Sequence, residues 1–180
     1  MKALDGITCS GSSFLAIDFE TADEQKNSAC AIGLVKVVNE RIREKVFRLI
    51  RPPRNSFRYT HIHGISWEDV QDQPLFTDVW REIEHVFVDV KLMVAHNASF
   101  DRAVLRRCLE TAGLRVSIPP FECTMILARR LWRIHPTSLP AVCRHLGIEL
   151  RHHHPLSDAE ASARIMMAAL KTFRKRRKGS

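Results

Sequence analysis

Asp18 and Glu20 end the most apolar extended run of this sequence, Phe14-Leu15-Ala16-Ile17-Asp18-Phe19-Glu20. Two positions apart, they share one face of a strand. Acids are depleted in strands and costly to bury, so the pair is either a strand leaving for solvent or part of a site. A third acid, Asp101, follows the short apolar run Leu92-Met93-Val94-Ala95 and falls in the first turn of a predicted helix, where the helix dipole favours a carboxylate. A fourth, Asp158, opens the last predicted helix, with Ser157 as its candidate cap. Each acid alone has a structural explanation. All four at element ends that can meet over one sheet edge do not, because packed carboxylates repel and raise one another's pKa values unless a cation lies among them. All-oxygen ligation selects Mg²⁺ or Mn²⁺ over zinc. Two such ions ~3.5–4 Å apart clamp the attacking water and the leaving oxygen of a phosphodiester, which is nuclease chemistry.

The elements that must position these acids follow from the apolar periodicity. Strands are predicted at 14–20, Ala29 to Val38 and Arg41 to Ile50, the last two joined by the two-residue turn Asn39-Glu40. Three consecutive strands imply an antiparallel start. After Pro74, Val79, Ile83, Val86 and Phe87 recur at helical spacing. A short strand at Leu92 to Ala95 precedes helices over Ser99 to Ala112, Met125 to Trp132, Leu139 to Leu146 and Asp158 to Phe173, the last with Ala161, Ile165, Ala168 and Ala169 on one face. The class is α/β: a mixed sheet, antiparallel at first and then alternating with helices that flank it. The predicted organisation is an arm over residues 1–12, a single domain over 13–173 and a basic tail over 174–180.

Composition narrows the classes. At 180 residues with 45% apolar and 27% charged side chains, the chain can bury one core and is neither disordered nor low in complexity. No apolar run approaches the ~20 residues that cross a bilayer, and the opening Met1-Lys2-Ala3-Leu4-Asp5 lacks a signal-peptide pattern, so the expected compartment is the cytoplasm with no membrane partner. Five widely spread cysteines, Cys9 among them, read as reduced thiols. The net charge is +8, but six positive charges lie between Lys171 and Lys178, which leaves a nearly neutral body. That basic end either contacts phosphates or is a solvated helix terminus whose charge suits the dipole.

Five segments then carry a resemblance. Asp18-Phe19-Glu20-Thr21, His61-Ile62-His63-Gly64-Ile65, Val94-Ala95-His96-Asn97-Ala98-Ser99-Phe100-Asp101, Cys123-Thr124 and His153-His154-Pro155-Leu156-Ser157-Asp158-Ala159 occur in the order and approximate spacing of the DEDDh exonucleases. The chain resembles the branch that includes the proofreading exonuclease subunit of bacterial DNA polymerase III, over about residues 13 to 170. The resemblance implies a ribonuclease-H-like fold, two divalent metal ions, Mg²⁺ or Mn²⁺, and removal of nucleoside 5′-monophosphates from a 3′ end. It implies that Asp18, Glu20, Asp101 and Asp158 hold the metals and that His153, five positions before the last acid, is the general base. An unperturbed pKa of ~6.5 suits a histidine to that role near neutral pH. The tyrosine variant of the family is excluded, since the residue at the corresponding place is His154.

By the same resemblance, Thr21 and Phe19 flank the first acids, with Thr21 approaching the terminal 3′-OH, and His63 and Phe100 border the last nucleotide. Asn97 either joins them in binding substrate or caps the helix that carries Asp101. Phe100 has a core alternative, and Trp67, Trp80 and Trp132 read as core or half-buried side chains, not stacking platforms. The triplet His152-His153-His154 is not expected to form a three-histidine zinc site, because neighbours in a row cannot all reach one ion from a regular element. Single-stranded DNA is the favoured substrate. An exoribonuclease or oligoribonuclease on the same acids, and a non-catalytic nucleic-acid binder, are the alternatives. A proofreading subunit is expected to carry a polymerase-docking extension after this domain, and the sequence ends soon after the last helix, so a stand-alone nuclease is the expectation. No feature sets an oligomeric state.

Overall fold

A computed structural model describes residues 13–178. The expected N-terminal arm over 1–12, with Cys9, and the last two residues of the basic tail lie outside the described residues.

Strand β1 (Ser13–Thr21) is the middle of a five-stranded sheet with β2 (Ala29–Val38), β3 (Arg41–Leu49), β4 (Leu92–Ala95) and β5 (Phe121–Cys123), in the order β3-β2-β1-β4-β5. The first three strands pair antiparallel, and β1/β4 and β4/β5 pair parallel, as the alternation of helices and strands in the second half requires. Asn39 and Glu40 form the predicted two-residue turn and both hold positive φ, 52° and 58°, the conformation whose twist matches an antiparallel hairpin.

Between the strands run two helical turns, α1 (Thr60–His63) and α2 (Trp67–Val70), and the helices α3 (Phe76–Ile83) and α4 (Ala98–Thr111); α5 (Thr124–Trp132), α6 (Leu139–Leu146) and α7 (Pro155–Lys178) follow the last strand. None of the described helices is long and apolar enough to cross a membrane.

Alternation along β1 sorts the core into two layers. Leu15, Ile17 and Phe19 face one side and pack with Val79, Trp80 and Ile83 of α3 and Val104, Leu105 and Cys108 of α4. Phe14 and Ala16 face the other, with Leu127 and Leu131 of α5 and Ala159, Ala163 and Met166 of α7. Asp18 and Glu20 continue the second row, so the strand delivers both acids to the α5–α7 side. Cys30, Cys108, Cys123 and Cys143 are free thiols.

The structure departs from expectation in three places. β5 is a three-residue strand at 121–123, too short to stand out as a periodic run. The last helix starts at Pro155, whose missing N–H costs nothing in a first turn, and runs past Phe173 through the helix-favouring Lys and Arg residues to Lys178. It also buries two faces. Ala161 and Ile165 pack against α6, while Ala169 lies on the sheet, small side chains letting the helix sit close to both.

Asp18 pairs with Gly33 of β2, and the first turn of α7 lies directly over that glycine. A methyl built on Gly33 would overlap the Pro155 carbonyl and the Leu156 nitrogen, both main-chain atoms that cannot rotate away. The missing side chain therefore lets α7 seat against β2 and brings Asp158 over Asp18. Gly33→Ala is expected to lift that first turn, lowering stability by about 1–3 kcal/mol as overpacking does and removing most of any activity that the clustered acids supply. Unchanged melting temperature and activity would show that the close seating does not position Asp158.

Candidate active site

The four acids converge from three elements: Asp18 and Glu20 from the end of β1, Asp101 from the first turn of α4 and Asp158 from the first turn of α7. Asp101 and Asp158 are buried, and Asp18 and Glu20 half-buried. Burial first, and then the charges of Asp101, Asp158 and Glu20, push the Asp18 carboxyl well above the usual carboxylate range. Glu20 is pushed up to about 8 by burial and by the charges of Asp158 and Asp101. Asp101 rises to about 7 through burial, although the Phe19 N–H, which donates to its Oδ1 at 3.1 Å, and the Lys26 ammonium pull it back. Burial raises Asp158 against the opposing effect of His152.

Asp158 shows what the cluster lacks. His152 Nδ1 lies 2.8 Å from its Oδ2, and the His153 main-chain N–H donates to the same oxygen at 3.2 Å. Its other oxygen, Oδ1, is buried without a hydrogen-bond partner. A buried carboxylate oxygen left over among like charges fits a hard cation. Among the described residues, the only three candidate ligands whose atoms lie within 4.8 Å of one another are His152, His153 and Asp158, and the four carboxylates do not close to that range themselves. Two histidines of the triplet thus face one carboxylate, while His154 turns away and stacks on Phe47 of β3 at 5.2 Å.

His153 holds a positive φ of 63° and presents an exposed ring stacked on that of His152 at 3.8 Å. Partial burial and the His152 charge hold its pKa below the usual value, while Asp158 acts in the opposite sense. His63 is close enough to be influenced by the charge of His153. The Ile65 N–H donates to His63 Nδ1 at 3.0 Å, which leaves Nε2–H to donate to the Thr21 carbonyl at 3.2 Å. This neutral tautomer ties α1 to the end of β1, where Thr21 is buried beside a register shift after Glu20. His63 therefore braces the strand end.

The remaining predicted residues divide. Phe100 is half-buried against the core and carries the Lys26 ammonium 4.1 Å above its ring. Phe19 is in the core, because alternation turns its side chain to the α3–α4 layer, and what it gives the acids is its main-chain N–H. Asn97 stands at the cap position of α4 but makes no cap hydrogen bond. It takes the left-handed conformation, φ 67°, that Asn tolerates, and its Oδ1 accepts instead from the Ser99 hydroxyl at 3.2 Å. Trp80 is buried, and Trp67 and Trp132 are half-buried, as expected.

Sequence reasoning missed His152, Lys26, Gly33 and His96. Only His152 carried a signal, its place beside two other histidines. His96 contacts the Thr124 hydroxyl through Nδ1 at 2.9 Å and the Thr137 carbonyl through Nε2 at 2.8 Å. It thereby ties the turn after β4 to the start of α5 and to the α5–α6 loop.

The RNase T exonuclease family matches residues 15–166. The chain is 31% identical to the PolC-type DNA polymerase III of Thermotoga maritima over 176 residues, 95% of this chain and 13% of that much longer protein. It is 35% identical to exodeoxyribonuclease 10 of Escherichia coli over 163 residues, 87% of this chain and 68% of that one. Among solved structures, exonuclease X in complex with 5′-overhanging duplex DNA superposes with a TM-score of 0.71 at 31% identity, covering 88% of this chain and 92% of that one. Exonuclease I, at 18% identity and a TM-score of 0.73, covering 92% of this chain and 42% of that one, shares the fold. The chain belongs to the RNase T exonuclease family.

Proposed function

We propose that the chain is a metal-dependent 3′→5′ exonuclease on DNA, releasing nucleoside 5′-monophosphates, with Asp18, Glu20, Asp101 and Asp158 holding two Mg²⁺ or Mn²⁺ ions and His153 as general base. The observation that carries this reading is the cluster of four acids, each held above its ordinary pKa, around the partnerless Oδ1 of Asp158. Divalent cations there supply the Lewis acidity that phosphodiester hydrolysis needs.

The protein's own residues do the rest. The Phe19 N–H holds Asp101, and His152 holds Asp158, so two acids are oriented before substrate arrives. His63 fixes the Thr21 carbonyl at the strand end, where the terminal nucleotide would lie. The exposed His153 ring, with its lowered pKa, is a neutral acceptor near pH 7 for the proton of the attacking water, whose oxygen bonds to phosphorus as the bond to the 3′ oxygen breaks. The choice of DNA leans on exonuclease X, seen with 5′-overhanging duplex DNA, and on exodeoxyribonuclease 10.

Three measurements test the reading. Asp18→Ala should abolish Mg²⁺- or Mn²⁺-dependent shortening of 3′-labelled DNA while the circular dichroism spectrum stays native; digestion at the wild-type rate would remove Asp18 from the metal site. His153→Ala should lower kcat by about 10²–10⁴-fold, as loss of a general base does, and His154→Ala, whose ring packs on Phe47, much less. The reverse order would move the base by one residue.

The third follows from the raised acids. In the folded protein Glu20 and Asp101 hold protons up to about pH 8 and 7, whereas unfolded carboxylates release theirs near pH ~4. Folding therefore takes up protons between these limits, and stability present below pH ~4 is lost as pH rises through the folded values. In EDTA the melting temperature should fall from pH 5 towards pH 8.5, and Mg²⁺ or Mn²⁺ at the upper pH should restore it. A flat profile in EDTA, unmoved by metal, would mean that the acids do not share a cation site.

A further inference from the structure

The chain is nearly neutral outside its C-terminal end, yet the 26 residues between Glu122 and Glu149 contain no acid, four arginines and two histidines. They form α5, the following loop and α6, on the same side of the sheet as the catalytic acids. Arg129, Arg130, Arg133 and Arg144 are exposed, and among the described residues none of them pairs with a carboxylate. Several exposed arginines on other elements are paired, as Arg48 is with Glu82, Arg81 with Asp78 and Arg164 with Glu160, although Arg41 and Arg43 of β3 and Arg102 of α4 have no carboxylate partner among the described residues either. Arg129 and Arg130 lie four and three residues before Arg133, the left-handed residue that closes α5, and the exposed Ile126 lies three and four residues before them on the same helix face.

Both ends of this row are anchored. Arg129 donates to the Thr137 hydroxyl at 3.1 Å, and the Thr137 carbonyl accepts from His96, one turn of chain before Asp101. His96 in turn senses the charge of His152, the partner of Asp158, so this end abuts the catalytic site. At the far end Arg176 of α7 donates to the Leu131 carbonyl at 3.1 Å and so docks the basic end of α7 beside the arginines of α5. The basic tail and the acid-free segment, separate in sequence, are one surface. From Asp158 to Arg176 the helix spans 18 residues, about 27 Å, which matches about eight nucleotide steps at ~3.4 Å of duplex rise.

We propose that this surface, centred on Arg129, Arg130 and Arg133 and extended by Arg176, binds the phosphate backbone of the nucleic acid behind its 3′ end. The proposal deepens the exonuclease reading and rests on it for the position of the 3′ end. It makes the substrate a polynucleotide: a dinucleotide would leave the surface idle.

The test is the double variant Arg130→Gln, Arg133→Asn in the full chain, asparagine being chosen because position 133 holds a φ of 55°. Anisotropy of a 5′-fluorescein-labelled DNA strand with Ca²⁺ present should show Kd rising about tenfold. The slope of log Kd against log salt should shrink by about 1.4, the share of two single-strand phosphate contacts. The p-nitrophenyl ester of thymidine 5′-monophosphate, which has no phosphate to lay on this surface, should be hydrolysed within twofold of the wild-type rate. Arg130→Glu, on an exposed helix position, should weaken strand binding further. Wild-type affinity and salt slope in both variants would overturn the proposal, as would an equal loss on the ester, which would place the effect in the catalytic site. If the wild-type protein binds DNA with the expected slope but hydrolyses neither strand nor ester, the surface stands and the exonuclease reading fails.

Discussion

The close seating of α7 on β2 is the constraint on which the site depends. Asp18 and Asp158 are separated by 140 positions, and what joins them is the absence of a side chain at Gly33, opposite Asp18 in the ladder. The sheet's pleat delivers Asp18 and Glu20 to that face. The helix that covers the face must then come in low enough to present its first turn at the same height. Alanines at 159, 161, 163 and 169 hold the rest of α7 close to its neighbours, so the contact at Gly33 is the first of a row of small-residue contacts. A bulkier interface would leave Asp158 as an ordinary helix-opening acid in solvent.

That geometry works against the electrostatics of the protein alone. Burial disfavours the charged forms of all four acids, and repulsion from neighbouring carboxylates adds to it for Asp18, Glu20 and Asp101. The fold meets part of this with fixed partners: the Phe19 N–H and Lys26 for Asp101, and His152 with the His153 N–H for Asp158. Among the described residues, Asp18 and Glu20 have no such support. A site built this way is strained electrostatically in favour of binding cations, and the partners that exist orient acids without neutralising the set.

Much of this was legible in the sequence because it depends on local periodicity. Alternation along β1 put Asp18 and Glu20 on one face, apolar spacing marked the helices that open with Asp101 and Asp158, and Asn39-Glu40 marked the hairpin. What escaped depends on contacts between distant segments. Gly33 matters only because Pro155 lies over it, and His152 only because Asp158 turns towards it. Phe19, flanked by acids, looked like a site residue, but the alternation that exposes its neighbours sends it into the core. Asn97 has the side chain of a helix cap, yet its left-handed backbone sends the amide to Ser99 instead. β5 owes its existence to pairing with β4, since three half-buried residues carry no pattern of their own.

The distribution of charge completes the physical picture. A polyanion approaching four carboxylates is repelled until cations and basic side chains reverse the local field, and a nearly neutral body cannot do that by its average charge. Segregation can. Acids are concentrated where the sheet ends and are absent from the α5–α6 segment that flanks them, so the field changes sign across the one side of the sheet on which α7 lies. His96 sits at that boundary, joined on one side to the turn that leads to Asp101 and on the other to the loop that anchors Arg129. The arginine surface is thus joined through two hydrogen bonds to the turn that leads into the helix carrying Asp101, so the elements that would grip the strand and those that would cut it share one set of contacts.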